Sequence, residues 1–238
     1  MARAWLCLVA VVLSACGPAE RPEADRHAGE SDDPPPDLVD VRELDPTIET
    51  DIRYAGADNF VGGPVDGYEA GRCLLARPAA EALVGVQESL RPQGFGLVVY
   101  DCYRPQRAVD HFVRWARDTA DRRTKEAHYP GVAKSRLFEE GYIAERSGHS
   151  RAATVDLTLA RLHEGGSAVP LDMGTSYDFF DPRSHTESPA VSAEQRDNRL
   201  RLRRAMEAGG FRNYEAEWWH YTLRDEPYPD TYFDVVVK

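Results

Sequence analysis

Four side chains in two short stretches have the types and spacing for hydrolytic chemistry. His149 and Asp156 lie in "SGHSRAATVDLTL" (147–159), and Glu217 and His220 lie in "EAEWWHY" (215–221). The first stretch admits two readings. Ser150, within "GHSRA", could be a nucleophile on a strand–turn–helix elbow, which lifts a serine hydroxyl above a sheet. The residues after Ala153 alternate as a strand, however, with Val155, Leu157 and Leu159 on one face. The other serine route, S-x-x-K, is absent, because Lys125, Lys134 and Lys238 follow Arg122, Gly131 and Val235 by three positions.

The second reading is a metal centre. Asp156 points away from the Val155/Leu157 face, and His149 sits in a Gly/Ser-flanked loop able to fold back over the strand. A zinc site that does chemistry has three protein ligands and an open position for water. His220 supplies the third ligand and Glu217 a general base. No HExxH is present, since "HEGGS" (163–167) lacks the second histidine. In a regular strand Glu217 and His220 face opposite sides, so a bulge or turn near Trp218 is required. Taken alone, these residues leave a purely structural role for the histidines open.

The elements that must position them follow from periodicity and capping. Residues 77–94 read as a helix with Pro78 near its start, 95–101 ("FGLVVYD") as a buried strand, and 106–121 as a helix presenting Val109, Phe112, Val113 and Ala116 on one face. Residues 193–208 read as a third helix, opened by a Ser192/Gln195 capping box and closed by Gly209 and Gly210. Residues 154–159 and 213–224 read as strands. The predicted fold is α+β: a mainly antiparallel sheet packed against helices, in a single domain over 39–238.

The N-terminus has its own signals. Residues 1–15 combine Arg3, an apolar run from Trp5 to Leu13 and small residues, which is the pattern of an export signal. That run is too short to remain as a membrane span. Leu13-Ser14-Ala15-Cys16 resembles a bacterial lipobox, with Cys16 as the lipidated residue; the alternative is an ordinary cleaved signal. Residues 16–38, rich in Pro, Glu and Asp, read as a disordered tether behind that lipid. The expected location is the periplasmic side of a bacterial envelope, with membrane contact only through the lipid. Of four cysteines, Cys7 leaves with the signal, and in an exported chain the remaining pair, Cys73 and Cys102, reads as a disulfide, the alternative being two buried thiols. A formal charge of -11 argues against nucleic acid and anionic lipid surfaces as partners and favours a small neutral or zwitterionic one.

"SGHSRAATVDLTL" with "EWWHY", supported by "DNFVGGPVDGY" (58–68), "YDCYRPQRAV" (100–109), "MGTSYDFFDPRSH" (173–185) and "EWWHYTLRDEPYP" (217–229), resembles the VanX-type zinc D-alanyl-D-alanine dipeptidases. The similarity spans about residues 40–238; the lipobox and the cysteine pair depart from the family. The resemblance implies one Zn²⁺ per chain on His149, Asp156 and His220, Glu217 as general base, and Arg104 as oxyanion stabiliser. It implies that Asp178 receives the ammonium of a D,D-dipeptide, with Ser147 and Tyr54 as further substrate contacts. His185 is expected to be structural, and His111 and His128 to belong to the surface or core. The implied reaction is hydrolysis of D-Ala-D-Ala to two D-alanines. The alternatives are a D,D-carboxypeptidase that trims peptidoglycan stems, and a zinc- or ligand-binding lipoprotein without activity.

Overall fold

The computed structural model describes residues 29–163 and 168–238. The predicted signal, Cys16 and the tether up to residue 28 lie outside the described residues. Among the described residues, ten strands and five α-helices run in the order β1 (Glu30–Ser31), β2 (Leu38–Asp40), α1 (Val41–Leu44), β3 (Glu49–Thr50), β4 (Leu74–Ala76), α2 (Arg77–Leu90), β5 (Phe95–Asp101), α3 (Gln106–Arg117), α4 (Lys125–His128), β6 (Thr154–Leu162), β7 (Ala168–Pro170), α5 (Ala193–Ala208), β8 (Phe211–Asn213), β9 (His220–Leu223) and β10 (Tyr232–Phe233).

The main sheet has the order β3-β5-β6-β9-β8, with β7 beside β6. Only β3 and β5 pair in parallel within it; every other pairing there is antiparallel. The α+β prediction therefore holds, with α2 and α5 packed on the sheet. β6 lies at its centre. Residues 154–160 are all buried, so the face carrying Thr154, Asp156 and Thr158 is as enclosed as the one carrying Val155, Leu157 and Leu159. Asp156 thus points away from Val155 and Leu157, as expected, and into an equally buried layer.

Sheet register does the positioning. β5 pairs with β6 through an irregularity between Val99 and Asp101, which brings Asp101 opposite Asp156. On the other side of β6, Asp156 stands opposite His220 of β9. Three polar residues thus form one row across three strands. A row of directly opposed carboxylates is unfavourable unless a cation separates them.

Three sequence expectations are corrected. The helix predicted over 106–121 ends at Arg117, because the Asp118 carboxylate accepts the backbone N–H groups of Ala120 and Asp121 and replaces helical bonds there. The strand read over 213–224 is two short strands around a turn, with Tyr214 N–H bonded to the His220 carbonyl and Glu217 N–H to the Tyr214 carbonyl. The tether does not extend to residue 38. β1 pairs in parallel with β10, β2 pairs with β4, and the Tyr228 hydroxyl donates to Asp37 at 2.7 Å. Backbone pairing compensates there for the scarcity of apolar side chains.

Candidate metal and substrate site

His149 is delivered by a 3₁₀ turn, Gly148–Arg151, whose N-cap is Ser147: its side chain accepts from the His149 N–H. The turn ends at Ala152 in the left-handed region (φ 60°), and the chain enters β6 directly. No helix follows, as an elbow requires. The Ser150 hydroxyl is buried without a hydrogen-bond partner among the described residues, so nothing activates it as a nucleophile. The serine reading ends here.

His149, Asp156 and His220 converge. His149 Nε2 lies 3.2 Å from Asp156 Oδ1, His220 Nδ1 lies 3.0 Å from the same oxygen, and the two ring nitrogens are 3.3 Å apart. Ligand atoms about 2.0–2.1 Å from a tetrahedral zinc stand roughly 3.3 Å from one another, so the triangle fits that ion. Two further observations agree. His149 Nδ1 lies 2.7 Å from the Cys102 carbonyl, which can only accept, so the proton is on Nδ1 and Nε2 presents a lone pair. Asp156 Oδ1, buried, has no hydrogen-bond partner among the described residues. Burial, opposed by the Asp156 charge, lowers the His149 pKa. For Asp156, burial alone acts upward, but the neighbouring His149 and His220 outweigh it and hold the carboxyl far below its usual range. His149 and Asp156 are enclosed, whereas the His220 side chain keeps 20% of its surface and faces a cavity. The open side of the triangle is therefore the cavity side.

That cavity, ≈ 300 Å³, is lined by residues including Tyr54, Arg104, Ser147, Asp178, Glu217 and His220. Every residue predicted to contact substrate or to act on it lies in this one space. Glu217 Oε2 is 3.6 Å from His220 Nδ1, and burial, with Asp156 adding to it against His220 and Arg104, pushes the Glu217 pKa up to about 7. The turn between β8 and β9 lets Glu217 and His220 share a side, and it is held by Asn213, whose side-chain amide donates to both the Glu217 and His220 carbonyls.

Arg104 is held in a buried ion pair and still lines the cavity. Its Nε and Nη2 reach Asp101 Oδ2 at 2.9 and 2.8 Å, its Nη2 lies 3.4 Å from Asp156 Oδ2, and its Nη1 lies 3.5 Å from the Ser147 hydroxyl. The guanidinium also sits 5.1 Å from the Tyr54 and Phe112 rings. It is the cation that separates the opposed Asp101 and Asp156. Asp178 is buried rather than a solvated turn residue; its φ is +55°, and its Oδ2 accepts the Tyr54 hydroxyl at 2.8 Å. Burial and the Asp156 charge raise its pKa well above the usual carboxylate range. A strained, buried carboxylate aimed at a cavity is a mark of function.

Ser147 and Tyr54 therefore have internal partners as well as cavity exposure. His185 is exposed, and its carbonyl accepts from Arg199 Nη1 at 2.7 Å, a structural role. His128 is 3.1 Å from the Asp178 carbonyl through Nδ1, and His111 is 3.3 Å from Asp66. Sequence reasoning missed Asp101, Tyr142, Tyr177, Tyr214 and Trp219, all at or beside the site. Asp101 carried a signal, an acid closing a buried strand three residues before Arg104. The predicted bridge is present: Cys73 and Cys102 are disulfide-linked with a Cα separation of 5.1 Å, one residue after Asp101.

Comparison with known proteins adds to this geometry. Residues 36–238 match the peptidase family described as D-ala-D-ala dipeptidase. The chain is 50% identical over 198 residues to a D-alanyl-D-alanine dipeptidase of Streptomyces coelicolor, covering 83% of this chain and 96% of that one. It is 47% identical to one from Enterococcus faecium and 45% identical to one from Enterococcus faecalis, each match covering 80% of this chain and 93% of the relative. The chain belongs to the D-ala-D-ala dipeptidase family of peptidases.

Proposed function

We propose that this protein is a zinc-dependent dipeptidase that hydrolyses D-Ala-D-Ala to two D-alanines. The observation that carries the reading is the placement of one triangle of metal-ligating side chains, one buried base and one separate buried carboxylate around a single small cavity. His149, Asp156 and His220 would hold the ion. Bound there, Zn²⁺ supplies Lewis acidity toward a carbonyl and lowers the pKa of water.

The chain's own residues do the rest. Glu217 accepts a proton from the attacking water and returns it to the leaving nitrogen, a role that a pKa near neutrality suits. Arg104, held by Asp101 on one edge, turns its remaining N–H groups to the carbonyl oxygen as negative charge develops. Asp178 pairs with the free ammonium of the dipeptide, oriented by Tyr54. The Ser147 hydroxyl lines the same cavity and supports both the His149 turn and Arg104. Neither Glu217 nor Arg104 is needed for metal storage, so their place in the cavity disfavours a zinc-binding lipoprotein. A buried anion where a longer stem peptide would have a neutral amide disfavours a carboxypeptidase.

Export and lipid attachment through Cys16 rest on the N-terminal sequence, and the Cys73–Cys102 bridge supports an oxidising compartment. The direct test loads the protein with zinc and compares D-Ala release from D-Ala-D-Ala and from a stem pentapeptide. Release from the pentapeptide at an equal or greater rate overturns the dipeptidase. Metabolic labelling with a fatty acid, lost in Cys16→Ser, tests the anchor.

A further inference from the structure

Below the cavity, an unbroken line of oxygen contacts joins the two carboxylates with different proposed tasks. The Tyr54 hydroxyl donates to Asp178 Oδ2 at 2.8 Å, and the Tyr177 hydroxyl lies 3.0 Å from the Tyr54 hydroxyl and 3.0 Å from Asp156 Oδ2. Each phenol has a single proton to give. A phenol keeps its proton at neutral pH, so both hydroxyls remain donors. With the Tyr54 proton on Asp178, the Tyr177 proton has two acceptors within reach. The ionised Asp156 is the stronger of them, because charge-assisted hydrogen bonds exceed neutral ones.

The ring that carries this hydroxyl is immobilised. It stacks on Tyr100 at 4.9 Å and 25° and meets Trp219 edge-on at 5.5 Å and 78°. The other contact to Asp156 Oδ2, from Arg104, is longer at 3.4 Å. Tyr177 is thus the shortest hydrogen-bond donor to that oxygen, while Oδ1 is left without a hydrogen bond between the two histidine nitrogens.

We propose that Tyr177 is a positioning residue of the metal centre: its hydroxyl pins Asp156 Oδ2, fixing the carboxylate so that Oδ1 alone is presented with His149 Nε2 and His220 Nδ1. The proposal rests on the reading of these three residues as the metal ligands. Partners of this kind, bonded to a ligand, change metal affinity by roughly 10–100-fold when removed.

The test is Tyr177→Phe in the full chain, which keeps the ring and its stacking and removes only the hydroxyl. Chelator competition on the metal-stripped protein gives the zinc Kd, and the visible d–d band of the cobalt-substituted protein reports the ligand geometry. The expected result is a zinc Kd weakened about 10–100-fold and a shifted cobalt band. Tyr54→Phe, which spares the Tyr177–Asp156 contact, leaves the zinc Kd within about twofold, the spread of a small indirect effect. A Tyr177→Phe protein with wild-type Kd and an unshifted band overturns the proposal, and so does an equal zinc loss in both variants. If the Phe variant is less stable, the cobalt band of its folded fraction still decides. A wild type whose zinc Kd is indifferent to His149→Ala instead removes the ligand assignment beneath the proposal.

Discussion

Asp178→Asn separates a dipeptidase from an enzyme that merely shares its metal site. Asparagine is the substitution to make because residue 178 has φ +55°, a conformation asparagine adopts at lower cost than alanine, and because its amide oxygen can still accept from Tyr54. The change removes only the charge. Asp178 is buried, so the ammonium it receives gives up its water and depends on this partner. Truncating one side of such a desolvated pair costs about 2–5 kcal/mol, which at about 1.4 kcal/mol per decade is roughly a 30- to 4,000-fold fall in kcat/KM. The assay is a cycle: wild type and Asp178→Asn, each on D-Ala-D-Ala and on N-acetyl-D-Ala-D-Ala. Acetylation should cost the wild type a similar factor and the variant little more, because the charge pair is already gone. A wild type that cleaves both substrates equally, or losses that simply multiply, would refute the assignment of Asp178 to the ammonium.

Three other outcomes follow from the same geometry. Glu217→Gln keeps about one zinc per chain by metal analysis while turnover falls by several orders of magnitude, whereas His220→Ala loses the zinc itself. Because burial raises the Asp178 pKa, the carboxyl must lose a proton to pair with the ammonium; kcat/KM on D-Ala-D-Ala therefore rises with pH as Asp178 and the base Glu217, with its pKa of about 7, ionise, and Asp178→Asn leaves only the Glu217 part of that limb. Thiol titration of the unfolded, unreduced protein finds neither Cys73 nor Cys102 free; reduction removes a constraint across 29 residues worth roughly 3–4 kcal/mol. Reduction also weakens zinc binding, since the Cys102 carbonyl orients His149.

Residue types and local spacing by themselves determined the elements and the chemistry. The capping box at Ser192/Gln195, the apolar face of α3 and the β-branched run of β5 are local signals, and each forms as its sequence requires. His149, Asp156, Glu217 and His220 were legible because hydrolytic metal chemistry calls for those types, and the motif order tied them together. What tertiary structure alone decided is where partners meet. The β5–β6 irregularity that sets Asp101 opposite Asp156 depends on pairing between residues 55 positions apart, and no local pattern encodes it. The Tyr214–Trp219 turn, the burial of both faces of β6 and the pairing of β1 with β10 likewise follow from which neighbours the sheet supplies. The same holds for Tyr177. In sequence it is one aromatic beside Asp178, and only when β5, β6 and the 173–180 loop close together does its hydroxyl acquire the metal-ligating carboxylate as its acceptor. Periodicity reports which side of an element is apolar; it cannot report which polar atom lies 3 Å across a gap.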